Sequence, residues 1–194
     1  MLVIVCLVLC TGATAQNNNI DYRILRTISQ SRTDAKNHFF ESVSNATSYV
    51  DYSLPAALLI FSIIRRNKPG RQKALSILES QLLTAACTSA LKHIIDRQRP
   101  GVHDPSFIPV VTELSASFPS GHTGEAFATA TAVSIAYPKW YVIIPAYSWA
   151  ALVGYSRMYL GVHYPTDVLA AAILGSGCSF LVYKINQWWQ RRKR

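Results

Sequence analysis

Three short blocks of this sequence set cations, histidines and a carboxylate at the edges of apolar segments: KHIIDRQRP (92–100), PSGH (119–122) and SRMYLGVHYPTD (156–167). Lys92, Arg99 and Arg157 are cations at or beside apolar helix ends. Cations half-buried near one another are costly unless an anion neutralises them. Phosphate is such an anion, and arginine matches its geometry with paired donors. Pro119 and Ser120 read as a helix start, so the backbone N–H groups around Ser120–His122 would aim at the same anion. Gly121 leaves the backbone bare for close approach.

Two histidines complete the set. His163 stands four residues before Asp167, with Pro165 between them at an expected helix start. A carboxylate at that spacing can accept from one ring nitrogen and fix the tautomer, which leaves the other as nucleophile or base. His122 is the candidate general acid for a departing alkoxide. An anion clamp, an in-line nucleophile and a leaving-group acid are the parts of phosphoryl transfer. No CxxC or other metal-ligand spacing accompanies them, so no metal site is expected.

The elements that must hold these residues are apolar. Of 194 residues, 50% are hydrophobic and 15% charged, against about 25% charged in ordinary soluble proteins, and mean hydropathy is +0.17. The net charge of +9 does not point to nucleic acid. Its basic residues bunch as RRNKPGRQK (65–73) and RRKR (191–194), each beside an apolar segment, as cytoplasmic loops flank membrane helices. Basic stripes interleaved with aromatics are absent.

Residues 1–15, MLVIVCLVLCTGATA, read as a signal peptide ending in Ala13-Thr14-Ala15, or as a short first membrane helix. Residues 16–42 carry a weak helical period (Ile20, Ile24, Leu25, Ile28) and are expected outside, lying on the membrane or on the bundle. Five apolar stretches follow, near 43–64, 74–95, 123–138, 141–156 and 168–184, several close to the lower limit for a spanning helix. The predicted fold is therefore an all-α, multi-pass membrane helix bundle of about five spanning helices. Placing 65–73, Lys139 and the RRKR tail inside puts 16–42, 96–122 and 156–167 outside. The three chemical blocks then share the outer face.

Other residues have plainer readings. Cys87 and Cys178 lie in apolar segments as small hydrophobes. Asp51 and Glu79, acidic residues inside apolar stretches, are expected to be locally paired or solvated. Glu125, one turn after His122, is a candidate to tune it. Trp140, Trp188 and Trp189 fit an inner interface belt. Tyr155, Tyr159 and Tyr164 are read as packing, and His38, His93 and His103 have no partner spacing.

The pattern Lys-x6-Arg-Pro, Pro-Ser-Gly-His and Ser-Arg-x5-His-x3-Asp, complete and in order over residues 92–167, resembles the type 2 phosphatidic acid phosphatase superfamily. That family includes lipid phosphatases, soluble bacterial acid phosphatases and vanadium haloperoxidases. Arg97 fits a version often seen in it, Lys-x4-Arg-x-Arg-Pro. The resemblance implies that His163 attacks phosphorus and becomes a phosphohistidine, with Asp167 orienting it. It implies that His122 protonates the leaving group, and that Lys92, Arg99, Ser120, Gly121 and Arg157 hold the phosphoryl oxygens, with no metal or other cofactor. Residues 43–194 would be the membrane phosphatase domain. The family's membrane members usually have six spanning helices; here the first is reduced to the signal-like segment.

The expected protein is a phosphoric monoester hydrolase of the bacterial cytoplasmic membrane, its site facing the periplasm. It would remove phosphate from an envelope lipid: lipid A at the 4′ position first, undecaprenyl diphosphate second, phosphatidylglycerol phosphate third. Alternatives are a soluble periplasmic acid phosphatase of the same superfamily, a vanadate-dependent haloperoxidase and a non-catalytic lipid-binding or transport protein. The apolar runs oppose the first two. The last needs only the cations, leaving His122, His163 and Asp167 unexplained.

Overall fold

Each of the five apolar stretches forms one long helix in the computed structural model, which describes residues 19–192; the signal-like segment 1–15 lies outside them. The helices are α1 (Asn19–Ser29), α2 (Asp34–Ile64), α3 (Lys68–Ile95), α4 (Pro100–His103), α5 (Gly121–Ala136), α6 (Trp140–Tyr159) and α7 (Pro165–Arg192). Local chemistry sets several ends. Thr33 caps α2 through its side-chain oxygen, and Asn67 caps α3 by accepting from the Gly70 N–H at 3.1 Å. Proline opens α7, where its missing N–H costs least. Asp96 ends α3 in the left-handed region, at φ 43°, and turns the chain so that Arg97 and Arg99 return across the helix end that carries Lys92.

Small residues decide how the helices pack. α5 lies against α3, α6 and α7, and buries Thr123, Gly124, Ala126, Ala128, Ala130 and Ala132. Without large side chains between them, backbones approach closely, as membrane helices require when hydrophobicity cannot drive their association. The α5–α7 contact is the tightest: a Cβ at Gly175 would strike the Gly124 carbonyl, and Ser179 donates to the Ala128 carbonyl at 2.9 Å. Val43, Ala126, Ala130, Ala150 and Val153 join α2, α5 and α6 in one apolar cluster.

The outer surface is apolar as well, with Ile60, Phe61, Ile64, Leu82, Phe180 and Leu181 exposed. Such faces need lipid rather than water. α2, the run Lys68–His103 and α7 are each long and apolar enough to cross a membrane. α5 and α6, of 16 and 20 residues, complete an all-α multi-pass membrane bundle. The helices alternate in direction. The end of α3, the start of α5, the end of α6 and the start of α7 therefore meet at one pole. The cationic turn 65–73 and the exposed Trp140, Trp188 and Trp189 mark the other.

α1 docks at the first pole. Its inward face is Asp21, Tyr22 and Leu25, with Leu25 packed against Phe107 and Tyr164, whereas Ile20 and Ile24 stay exposed. Of the two acids within apolar stretches, Glu79 pairs locally by accepting from Asn186 at 2.7 Å. Asp51 departs from that expectation. It is fully buried, and neither carboxylate oxygen has a hydrogen-bond partner among the described residues.

Candidate active site

His163 sits in the short connection between α6 and α7, and the connection exists because of Gly161. That residue has φ +79°, and a Cβ on it would meet Arg32 at 2.7 Å and Phe107 at 2.8 Å. His163 is 1% exposed. Its Nδ1 lies 2.7 Å from the Ser117 carbonyl oxygen and 3.6 Å from Asp167 Oδ2. A carbonyl can only accept, so Nδ1 carries the proton and donates it to Ser117. At 3.6 Å the Asp167 contact is electrostatic rather than a hydrogen bond. The tautomer is thus fixed chiefly by a backbone carbonyl that the i, i+4 spacing does not reveal. Nε2 is left unprotonated, and its lone pair accepts from Arg99 Nη1 at 3.3 Å.

Asp167 is itself fully buried and held by three donors: the Ser117 hydroxyl at 2.5 Å, the Tyr164 N–H at 3.0 Å and Arg97 Nη1 at 2.6 Å. Burial pushes the His163 imidazole down to about 4; the Asp167 carboxylate opposes the shift, and the Arg99 and Arg157 charges add to it. The ring is therefore neutral at pH 7, as a nucleophile must be.

The three expected phosphate-holding cations converge beside that lone pair. Arg99 is 6% exposed and anchored at the back, where Nε donates to the Ser115 carbonyl at 2.7 Å and Nη1 to the Val162 carbonyl at 2.8 Å. Arg157, 2% exposed, donates to Ser44 on α2, and its Nε has no partner among the described residues. Lys92 donates to the Ala116 carbonyl. His122, at the first turn of α5, feels the charges of Arg157, Glu113, Arg99 and Lys92 together.

An anion already stands among them. Glu113 pairs with Arg99 at 2.7 Å through one oxygen and with Arg157 through the other. Although burial alone would raise it, Arg157 and Arg99 hold its carboxyl down at about 2. Sequence reasoning passed over Glu113, Ser44, Ser115 and Ser117. Only Glu113 gave a signal, as one of two acids, with Asp104, between the first two blocks.

Ser120 and Gly121 hold the start of α5 at the same pole. The Ser120 hydroxyl is buried 2.9 Å from the Thr123 hydroxyl, so it supports the helix start rather than capping an N–H. Among the described residues, a Cβ at Gly121 would meet nothing within 4 Å beyond its chain neighbours and its own helix backbone. Protein packing does not demand that glycine. Glu125 lies on the same helix, partly buried. A cavity of about 160 Å³ opens beside Arg99, Glu113 and Val162. A larger one of about 270 Å³, lined by Gln72, Ser76, Tyr183 and Asn186, lies at the opposite pole, far from the histidines.

Residues 73–191 match the PAP2 superfamily. The chain belongs to this family. Among curated relatives it is 32% identical to an undecaprenyl-diphosphatase of Sulfolobus acidocaldarius over 71% of this chain and 64% of that one. It is 30% identical to a lipid A 4′-phosphatase of Porphyromonas gingivalis over 79% and 67%, and 42% identical to phosphatidylglycerophosphatase B of Bacillus subtilis over 47% of each. The chain thus spans about half to two-thirds of these relatives' lengths. Two solved structures share the fold at 28% identity. The transmembrane phosphatidylglycerolphosphate phosphatase of Bacillus subtilis superposes with a TM-score of 0.79, covering 96% of this chain and 94% of that one. LpxE of Aquifex aeolicus gives 0.73, covering 88% and 98%.

Proposed function

We propose that this PAP2 protein hydrolyses a lipid phosphate through a phosphohistidine on His163. One observation carries the reading: a buried, neutral imidazole with its Nδ1–H committed to Ser117 and its Nε2 lone pair turned into a nest of arginines. A structural histidine has no need of cations at its free nitrogen. A nucleophile that must reach an anionic phosphorus does.

In this scheme the phosphate displaces the Glu113 carboxylate from Arg99 and Arg157, with Lys92 and the N–H groups at the start of α5 completing the clamp. The unpartnered Arg157 Nε gains an acceptor. The phosphate's negative charge favours the protonated form of His122. His163 Nε2 attacks phosphorus as the bond to the lipid oxygen breaks, and His122 gives its proton to that oxygen. Water then attacks the phosphohistidine, returning a proton to His122. The P–N bond breaks, His163 recovers its lone pair and phosphate leaves.

Lipid A carrying a 4′-phosphate is the preferred substrate, because the P. gingivalis relative of that name matches over 79% of this chain. Undecaprenyl diphosphate is second, on the S. acidocaldarius relative. The cationic turn 65–73 and the tryptophans at the opposite pole favour a catalytic pole outside the cytoplasmic membrane, facing the periplasm. The test is phosphate release in detergent from lipid A, undecaprenyl diphosphate and phosphatidylglycerol phosphate, with and without EDTA. Release from lipid A that survives EDTA is expected. Release from none of the three would overturn the reading.

A further inference from the structure

The catalytic carboxylate is supported from outside the family-matched region. Asp21, on α1, is 3% exposed although it lies in an otherwise polar N-terminal segment. Its Oδ2 accepts from Arg97 Nη2 at 3.0 Å and from the Thr166 hydroxyl at 2.6 Å, and its Oδ1 from the Thr166 N–H at 3.3 Å. The same guanidinium gives its other nitrogen, Nη1, to Asp167 at 2.6 Å and to the Thr166 hydroxyl at 2.8 Å. Arg97 also lies over the Tyr164 ring, 3.9 Å from its centre. One arginine fork therefore spans two buried carboxylates, one of which lies 3.6 Å from the His163 ring.

The charges have a consequence for the reaction. Asp21 and Asp167 together over a single Arg97 leave one net negative charge behind His163. When Nε2 bonds to phosphorus the ring gains positive charge, and a fixed negative charge on its far side lowers that barrier. With Asp21 neutral, Arg97 would cancel Asp167, and the guanidinium would lose a contact that fixes its plane. Tyr22 and Leu25 seat the helix that delivers the group: the Tyr22 hydroxyl lies 3.1 Å from that of Tyr164, and Leu25 is fully buried.

We infer that Asp21 is a positioning residue for the phosphatase reaction, acting through Arg97 on the Asp167–His163 pair. α1 is then part of the catalytic apparatus. The inference rests on the phosphohistidine reading above. Steady-state kinetics on a detergent-solubilised lipid phosphate, with the full chain, tests it. Asp21→Asn should lower kcat about tenfold and leave KM within about twofold, because the phosphate clamp is untouched. Rapid-quench phosphoenzyme formation should slow by the same factor. Asp21→Glu, which keeps the charge, should recover most of the loss.

Wild-type kcat in Asp21→Asn, or equal impairment in Asp21→Asn and Asp21→Glu, would overturn the inference, the second outcome pointing to packing alone. If Asp21→Asn fails to fold, Arg97→Lys, which keeps the charge but loses the fork that spans Asp21 and Asp167, should give the same kcat-only loss; an unchanged kcat there would refute the claim. His163→Ala separates the two levels. An active His163→Ala enzyme would end the phosphohistidine reading itself. An inactive one beside a fully active Asp21→Asn would end only the role of Asp21.

Discussion

Glu113 ties the chemistry of single residues to the state in which the site rests. Its carboxylate bridges Arg99 and Arg157, where the scheme puts phosphoryl oxygens, so an incoming anion competes with an internal one. Glu113→Gln removes the charge and should tighten binding of inorganic phosphate severalfold, read from product inhibition; unchanged inhibition would mean that the carboxylate does not share the phosphate position. The same group makes the fold acid-sensitive. Held at about 2 in the folded chain against an ordinary 4.5, Glu113 contributes stability above the ordinary value that disappears as pH falls from about 4.5 toward 2. His163 acts in the same direction over a higher window. Its folded value of about 4 lies below the ordinary 6.5, so the unfolded chain binds more protons and stability falls between about 6.5 and 4. Melting temperature in detergent should therefore drop in both windows, and Glu113→Gln should flatten only the lower one. At this scale the sequence showed which residues carry charge and which can transfer protons. It did not show that Ser117 and Asp21 belong to the site, because both act through contacts between positions far apart in the chain: Ser117 with His163, and Asp21 with Arg97.

The helices determine whether those residues meet, and their spacing rests on very small side chains. Gly175 lets α7 lie against the Gly124 carbonyl of α5, which joins the helix beginning at Gly121–His122 to the one beginning near Asp167. Gly175→Ala puts a methyl where backbone stands, an overpacking that costs roughly 1–3 kcal/mol. The expected outcome is a lower melting temperature together with a lost fraction of activity, since the separation moves the helix starts that carry His122 and Asp167 in the proposed scheme. A variant as stable and active as wild type would show that α5 and α7 tolerate a wider gap. The apolar stretches could be read from composition, as could the start of α5 at PSGH and of α7 at Pro165. The inward face of α1 could not. Of its apolar period of Ile20, Ile24, Leu25 and Ile28, Leu25 is buried while Ile20 and Ile24 stay exposed, and the buried acid Asp21 gave no signal. A polar face can be the inner one when it docks on charged partners, and hydrophobic periodicity is blind to that.

Taken as a whole, the molecule separates two jobs between its poles. One pole gathers six polar groups from three distant segments: Lys92, Arg99, His122, Arg157, His163 and Asp167. The other carries the cationic turn 65–73 and exposed tryptophans, a pattern that anchors and orients membrane proteins. In the proposed scheme the apolar girdle between them brings a lipid's phosphate to the level of the site while its chains stay in the bilayer. The bundle and its polarity were legible in the sequence because both follow from composition. The occupation of the cation nest by Glu113 was not, because that depends on where a loop folds. The account stands most directly on the covalent step. Rapid acid-free quenching of the enzyme with a ³²P-labelled lipid phosphate should trap label on the protein that is acid-labile and alkali-stable, at His163, and absent from His163→Ala, which should also lack turnover. Full turnover by His163→Ala would contradict the account.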